Sequence, residues 1–236
     1  LGVNGRGQDH IDNFEKLHNV QVAALCDPDS RVLAQRAKEF GDKYNKTYRL
    51  EADLRKIYDT KEIDAVSIAM PNHWHSLATI WACQAGKDVY VEKPGSHNIY
   101  EGRKMVEAAT KYDLGVQLRS SRAILEAIKL LREGVIGRVY MARGLVYRWR
   151  PNIGKKGFEP TPDYLDYDLW LGPAQYRPFS RDWVHYNWHW QWEFGNGDVG
   201  NQGIHETDLC MWGLDVGLPR RITSMGGMIR KRCPKS

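Results

Sequence analysis

The sequence predicts an α/β protein, with a doubly wound parallel sheet over the first half and an α+β region after it. Three observations carry this. Apolar runs of strand length alternate with helix-period segments, without a break, to about residue 120. A glycine-rich turn, "GVNGRG", stands near the start between an apolar residue and a helical pattern. Beyond residue 120 the alternation stops, and Pro, Gly and aromatic residues become frequent.

The elements follow in order. "LGVNGRG" reads as the tail of a strand and a tight loop. "QDHIDNFEKLHN" puts Ile11, Phe14 and Leu17 on one helical face. "VQVAALCD" is a strand ending in Asp27, and "SRVLAQRAKEFG" a helix stopped at Gly41. "IDAVSIAMP" is a strand ended by Pro71. "HSLATIWACQAG" is a helix closed by Gly86, and "KDVYVEKP" a strand ended by Pro94. "SHNIYEGRKMVEAATKYD" is a helix with Ser96 as its N-cap, and "LGVQLRS" is the next strand. Right-handed crossovers then place helices on both faces of a parallel sheet. In the second region "SRAILEAIKLLREG" and "IHETDLCMWGLDVG" read as helices, "GRVYMARGLVYRWR" as a long strand and "RRITSMGG" as a short one. "HYNWHWQWEFGNGD", if extended, places Trp188, Trp190 and Trp192 on one face. Two domains are expected, residues 1–120 and 121–236.

Composition narrows the function. The 236 residues are 42% hydrophobic, enough for a sizeable core and too apolar for wholesale disorder. The longest apolar runs are too short to span a bilayer. The formal charge is +5, but "RKRCPKS" at the end carries four positive charges, so the rest is nearly balanced. That argues against a broad phosphate-binding surface and hence against nucleic acid as a partner. Cys26, Cys83, Cys210 and Cys233 are scattered, with no CxxC pair, and read as inert buried thiols. No signal peptide is visible, and a cytoplasmic setting is expected, with a targeting segment upstream of Leu1 left open.

The glycine turn has the makings of a phosphate cradle. A dinucleotide loop needs a tight turn, close backbone approach and free amides at a helix N-terminus. Gly2, Asn4 and Gly7 take the three positions of GxGxxG, with Gly5 and Arg6 between them. Asn replaces the middle glycine, and Asn tolerates left-handed backbone better than most residues. Asp27 ends the next strand, twenty residues after Gly7. At that spacing a carboxylate accepts both adenosine ribose hydroxyls and repels a 2′-phosphate. NAD is therefore expected over NADP, a preference tempered by Arg31 nearby.

"DAVSIAMPNHWHSLATIWACQAGKDVYVEKPGSHNIYEGRKMVEAA" is more specific. With the glycine loop, "MPNHWH", "EKP", "DLWLGPA" and "GNQGIHETD", it resembles the glucose-fructose oxidoreductase / inositol dehydrogenase / rhizopine-catabolism family (Gfo/Idh/MocA) over nearly the whole chain. The resemblance implies an N-terminal Rossmann domain and a C-terminal α/β domain with an open, mostly antiparallel sheet. It implies that Met70, Pro71 and Asn72 sit against the cofactor, with His75 beside it. Glu92, Lys93 and Pro94 match the EKP motif, whose lysine lies by the nicotinamide and substrate. His205 matches the family's catalytic histidine. The family often oligomerises through the C-terminal sheet, so a homo-oligomer is expected.

The chemistry agrees with those assignments. Oxidising a secondary alcohol needs a base near neutrality and a cation beside the developing alkoxide. His205 and Lys93 fit these roles. Read alone, Lys93 is as well a surface lysine and His205 a core histidine. Many relatives carry Asp four residues before that histidine, and here the position is Asn201, which hydrogen-bonds a hydroxyl but takes no proton. Asp208, one helical turn after His205, is a candidate to orient it. On the substrate side, residues 147–192 concentrate aromatic rings, which stack on sugar CH faces or simply pack a core. Arg148, Arg150, His185, Asn187 and His189 offer polar partners there, and the resemblance places Trp188 and His189 near cofactor or substrate. His73 and His75 lack the further ligands a zinc site needs, so no metal is expected.

Three functions follow: reversible oxidation of a sugar, glycoside or cyclitol hydroxyl with NAD; glycoside cleavage through transient oxidation without net redox; or a non-catalytic cofactor-binding protein. Relatives typically continue beyond the equivalent of residue 236, so a truncated C-terminal sheet is expected.

Overall fold

The computed structural model describes residues 1–117, 122–148 and 150–226. Strands β1 (Ala24–Cys26) and β2 (Arg49–Glu51) pair in parallel. Strands β3 (Ala65–Ile68), β4 (Asp88–Val91) and β5 (Val116–Gln117) form a second parallel set in that order. Leu1 to Val3 join the two. The Gly2 amide donates to Cys26 O at 2.9 Å, and the Ala69 amide donates to Leu1 O at 2.9 Å. With this stub counted as a strand, the order is β2, β1, stub, β3, β4, β5. That is the doubly wound order, with the direction of winding reversing at the stub.

Helices α1 (Arg6–Phe14), α2 (Ser30–Tyr44), α3 (Leu54–Tyr58), α4 (Asn72–Gln84) and α5 (Ile99–Tyr112) connect the strands. Strand alternation feeds two cores. Leu25 packs with Val3, Ile11, Leu33 and Phe40 on one side. Cys26 packs on the other with Ile68, Ala78, Val91 and Met105. The helices therefore cover both faces, as a buried parallel sheet requires.

Two local expectations are corrected. Helix α2 runs through Gly41 to Tyr44 and stops at Asn45, whose φ is 51°. Gly41 instead gives room: a Cβ there would lie 2.9 Å from Lys46 O as the chain folds back. Helix α5 is capped by Asn98, whose side chain accepts from the Glu101 amide at 2.9 Å, and not by Ser96. β2 and α3 were not foreseen, since three and five residues are too short to show a period.

The second half holds α6 (Arg122–Arg132), α7 (Tyr167–Leu171), a 3-10 turn at Asn187–Trp190, a π turn at Val199–Gly203 and α8 (Ile204–Leu214). Its core is aromatic: Trp170, Phe179, Trp183, Trp188 and Phe194 are buried together. Trp170 and Phe194 meet edge to face at 5.0 Å. No strand forms among the described residues of this half. The segments expected as strands, within 137–150 and 220–227, run without a ladder partner where described. A strand exists through its neighbour's hydrogen bonds, and sequence period alone does not supply one. The tryptophan stripe also fails. Trp188 is buried and Trp192 is 92% exposed, because the backbone winds through a 3-10 turn at Asn187–Trp190 instead of running extended to Trp192. Trp149, Cys233, the basic tail and the end of "LGVQLRS" lie outside the described residues.

The halves dock through backbone bonds. The Ser30 amide donates to Tyr164 O at 2.8 Å, Asp166 to Pro28 O at 3.0 Å, and His73 to Phe194 O at 3.2 Å. Gly172 faces the Trp74 indole so closely that a Cβ would overlap it at 2.0 Å. No helix among the described residues is long and apolar enough to cross a membrane. Cys26 and Cys83 are buried as expected, while Cys210 is half-buried.

Candidate active site

A cleft of about 470 Å³ opens between the carboxyl ends of the first-half strands and residues 185–205. That is where ligands bind in open α/β sheets. Stretches of sequence far apart meet there, in four groups.

The first is the glycine loop. Gly2 has φ 74°, and a Cβ on it would lie 2.9 Å from the Ala69 carbonyl. A Cβ on Gly7 would overlap Gly2 O at 1.9 Å, so Gly7 lies beneath the loop rather than on the cleft wall. The positive φ at the helix start belongs to Gly5, at 51°. Asn4 keeps an ordinary backbone, so its tolerance of left-handed geometry is not what the loop uses. No side chain caps α1. The Gly7 amide bonds back to Asn4 O at 3.0 Å and the Gln8 amide to Gly5 O at 3.2 Å, which leaves the Arg6 amide at the helix start for a ligand.

The second is the loop after β1. Asp27 is buried there and accepts the Val3 amide at 3.1 Å and the Asp29 amide at 3.0 Å. Burial raises its pKa, and the two amides and His185 oppose that rise. Asp29 is wholly buried and caps α2. Burial pulls its pKa upward, but bonds from Val32, Arg31 and His185 hold it below the usual range. Arg31 Cζ sits over the Tyr164 ring, 3.1 Å from its centroid, and Arg31 does not line the cleft.

The third is the pair of loops after β3 and β4. Met70, Pro71 and Asn72 line the cleft, and Asn72 Nδ2 donates to Asn196 Oδ1 at 2.9 Å. His75 is a brace between the two loops. Its Nδ1 lies 2.7 Å from Pro94 O and its Nε2 2.8 Å from Met70 O. Burial lowers its pKa, and the two carbonyls oppose that fall. His73 likewise faces Trp170 O and Phe194 O, and burial brings it down to about 4. Both nitrogens of each ring are thus turned to carbonyls. Glu92 turns back toward the glycine loop, to Arg6 Nε at 3.1 Å and His10 Nε2 at 2.9 Å. Burial favours its protonated form, but these two partners win and hold it at about 2. Lys93 points the other way. Its Nζ donates to Asn201 O at 2.5 Å and reaches Asn201 Oδ1 at 3.4 Å. Desolvation lowers its pKa, against the pull of Glu92.

The fourth is the wall from the second half, where Trp188, His189, Asn201 and His205 all line the cleft. His189 stacks on Trp188 at 3.6 Å. Its Nδ1 lies 2.6 Å from Tyr186 O, which fixes the proton on Nδ1 and leaves Nε2 as an acceptor. Burial lowers its pKa. His205 is exposed at the rim and carries no such bond. Asp208 is exposed, outside the cleft wall, and makes no hydrogen bond to His205. Arg150 is committed to Asp198 at 2.8 Å.

Two functional neighbours went unread in the sequence, His10 behind Glu92 and Asp29 behind Asp27. The signals were present: His10 follows Arg6 by one helical turn, and "CDPDS" offers a second acid at an N-cap position.

The chain belongs to the Gfo/Idh/MocA oxidoreductase family. Residues 1–120 match the family's NAD-binding Rossmann fold, and residues 122–222 match its C-terminal alpha/beta domain. A levoglucosan dehydrogenase of Pseudarthrobacter phenanthrenivorans is 34% identical over 52% of this chain and 31% of its own length. A glycosyl hydrolase family 109 protein 1 of Shewanella sp. (strain ANA-3) is 27% identical over 59% of this chain and 32% of its own. The chain thus spans about a third of the curated relatives it matches. The crystal structure of scyllo-inositol dehydrogenase from Lactobacillus casei, with NAD(H) and scyllo-inositol bound, superposes with TM-score 0.52 and 25% identity, over 58% of this chain and 40% of that one.

Proposed function

We propose that this chain is the cofactor-binding part, and some of the substrate-binding part, of an NAD-dependent oxidoreductase acting on a hydroxyl of a sugar, glycoside or cyclitol. One observation carries the reading: a single cleft joins an uncapped glycine loop, a buried carboxylate twenty residues on, and a desolvated lysine beside histidines. The residues fit a dinucleotide. The Arg6 amide at the start of α1 suits a pyrophosphate, and a side chain at Gly2 would close the loop against Ala69. Asp27 keeps one lone pair per oxygen for ribose hydroxyls. NAD is favoured over NADP, and more firmly than the sequence suggested, because Arg31 is held on Tyr164. Bound there, NAD supplies a hydride acceptor.

The chain's own residues do the rest. Lys93 and Asn201 orient the hydroxyl, and the lysine ammonium stabilises negative charge on its oxygen. His205 takes the proton at the rim, and His189 presents Nε2 as an acceptor for a neighbouring hydroxyl. Trp188 offers a ring for a sugar CH face. We also propose a boundary between the two domains near residue 120, a cytoplasmic setting, and a homo-oligomer, the last to be read by light scattering.

The test is an NADH and NADPH titration followed by tryptophan energy transfer, then a screen of levoglucosan and scyllo-inositol. Saturable NADH binding stronger than NADPH binding is the expected result. Lys93→Met should lower turnover at least about a thousandfold while NADH affinity stays within about threefold. A folded chain that binds neither dinucleotide would overturn the reading. The likeness to a glycosyl hydrolase family 109 protein favours a second reading, glycoside cleavage with hydride borrowed and returned. Product release without accumulation of NADH distinguishes it.

A further inference from the structure

His185 comes from the second half of the chain and ends at the adenosine end of the cleft. It lines that wall with Asp27, Pro28 and Val32. Its Nε2 lies 2.9 Å from Asp29 Oδ2. Asp29 has no exposed surface, and its amide in turn donates to Asp27. The acidic end of the cleft is therefore a relay in which each carboxylate is held by the next group along. Arg31, the nearby fixed cation, is taken up by the Tyr164 ring and by Asp29 at 3.4 Å.

A neutral imidazole that donates from Nε2 keeps a lone pair on Nδ1. That acceptor and the spare lone pairs of Asp27 suit hydroxyl donors. They oppose a phosphate, which brings acceptors and negative charge. We infer that His185 is a specificity-determining residue, closing the adenosine ribose pocket from the second half and selecting the dinucleotide without a 2′-phosphate. The inference rests on the nucleotide reading above. A purely structural role would act otherwise: loosening the seam at Asp29 would weaken both dinucleotides alike.

The experiment titrates the whole chain and two variants with NADH and NADPH by tryptophan energy transfer. ADP-ribose, which lacks the nicotinamide, is added as a competitor, and circular dichroism checks the fold. His185→Ala should weaken NADH and ADP-ribose about five- to tenfold and leave NADPH within about twofold. His185→Lys should strengthen NADPH at least about fivefold by placing a cation beside the phosphate. If both variants fold and the ratio of NADH to NADPH affinity stays within about twofold of the unchanged chain, the inference is overturned and the nucleotide reading stands. If the unchanged chain binds neither dinucleotide, the nucleotide reading falls and takes the inference with it.

Discussion

In the first half, the cleft wall is made of strand ends and helix starts. β3 and β4 finish just before Met70 and Glu92, and their ladder sets the spacing of the two loops. In the second half, the facing wall is a 3-10 turn and a π turn on an aromatic core, with no ladder among the described residues. The first wall is positioned by backbone pairing, and the second by large rings and by side chains bonded to carbonyls. The difference predicts which substitutions each wall tolerates. Ladder geometry transmits a small backbone error to every neighbouring loop, whereas ring packing fails through lost volume.

Gly7→Val is the strongest way to break this comparison. The new side chain would collide with the Gly2 carbonyl, which has no flexible end to move aside. NADH affinity should fall more than about a hundredfold, read by titration, with the second-half core intact by near-UV circular dichroism. A smaller loss would mean that the loop is softer than its geometry implies.

Paired core truncations sharpen it further. Ile68→Ala, in the first-half core, should cost about 2–5 kcal/mol, and Phe194→Ala about 3–5 kcal/mol. Both side chains have no exposed surface. The Phe194 ring also packs on the His73 ring of the first half at 5.2 Å. Its loss should therefore lower one shared thermal transition. Two separated transitions in a calorimetric scan would show that the halves melt independently.

The smallest effect is electrostatic. Glu92 is held at about 2 in the folded chain, against an ordinary value of 4.5. A depressed carboxylate adds stability above its unfolded pKa and loses it as pH falls from about 4.5 toward 2. Glu92→Gln should flatten the fall of Tm across that window while leaving the neutral region shallow. An unchanged acid limb would assign the acid sensitivity to other carboxylates.

The sequence made the first half legible because its strands are fully buried and its helices amphipathic, so periodicity and Gly/Pro punctuation coincide there. The loop, Asp27, Met70 to Asn72 and the Glu92–Pro94 corner all reach one cleft, as their positions at strand ends imply. The second half was harder to read. Trp188, Trp190 and Trp192 alternate as a strand would, yet the backbone turns. Asp208 sits one helical turn from His205, but spacing along a helix does not say that two exposed side chains turn toward each other. His189 gained its fixed tautomer from the Tyr186 carbonyl, a contact no pattern of side chains encodes.

Residues 185–189 run the length of the cleft, from the Asp29 seam to the neighbourhood of Lys93. On the proposed reading, the residue that selects the cofactor and those that meet the substrate hydroxyls therefore share a single stretch of five residues. On that reading, a change that reshapes this stretch to suit a new substrate would also reset the choice of dinucleotide, and the two preferences would shift together rather than separately.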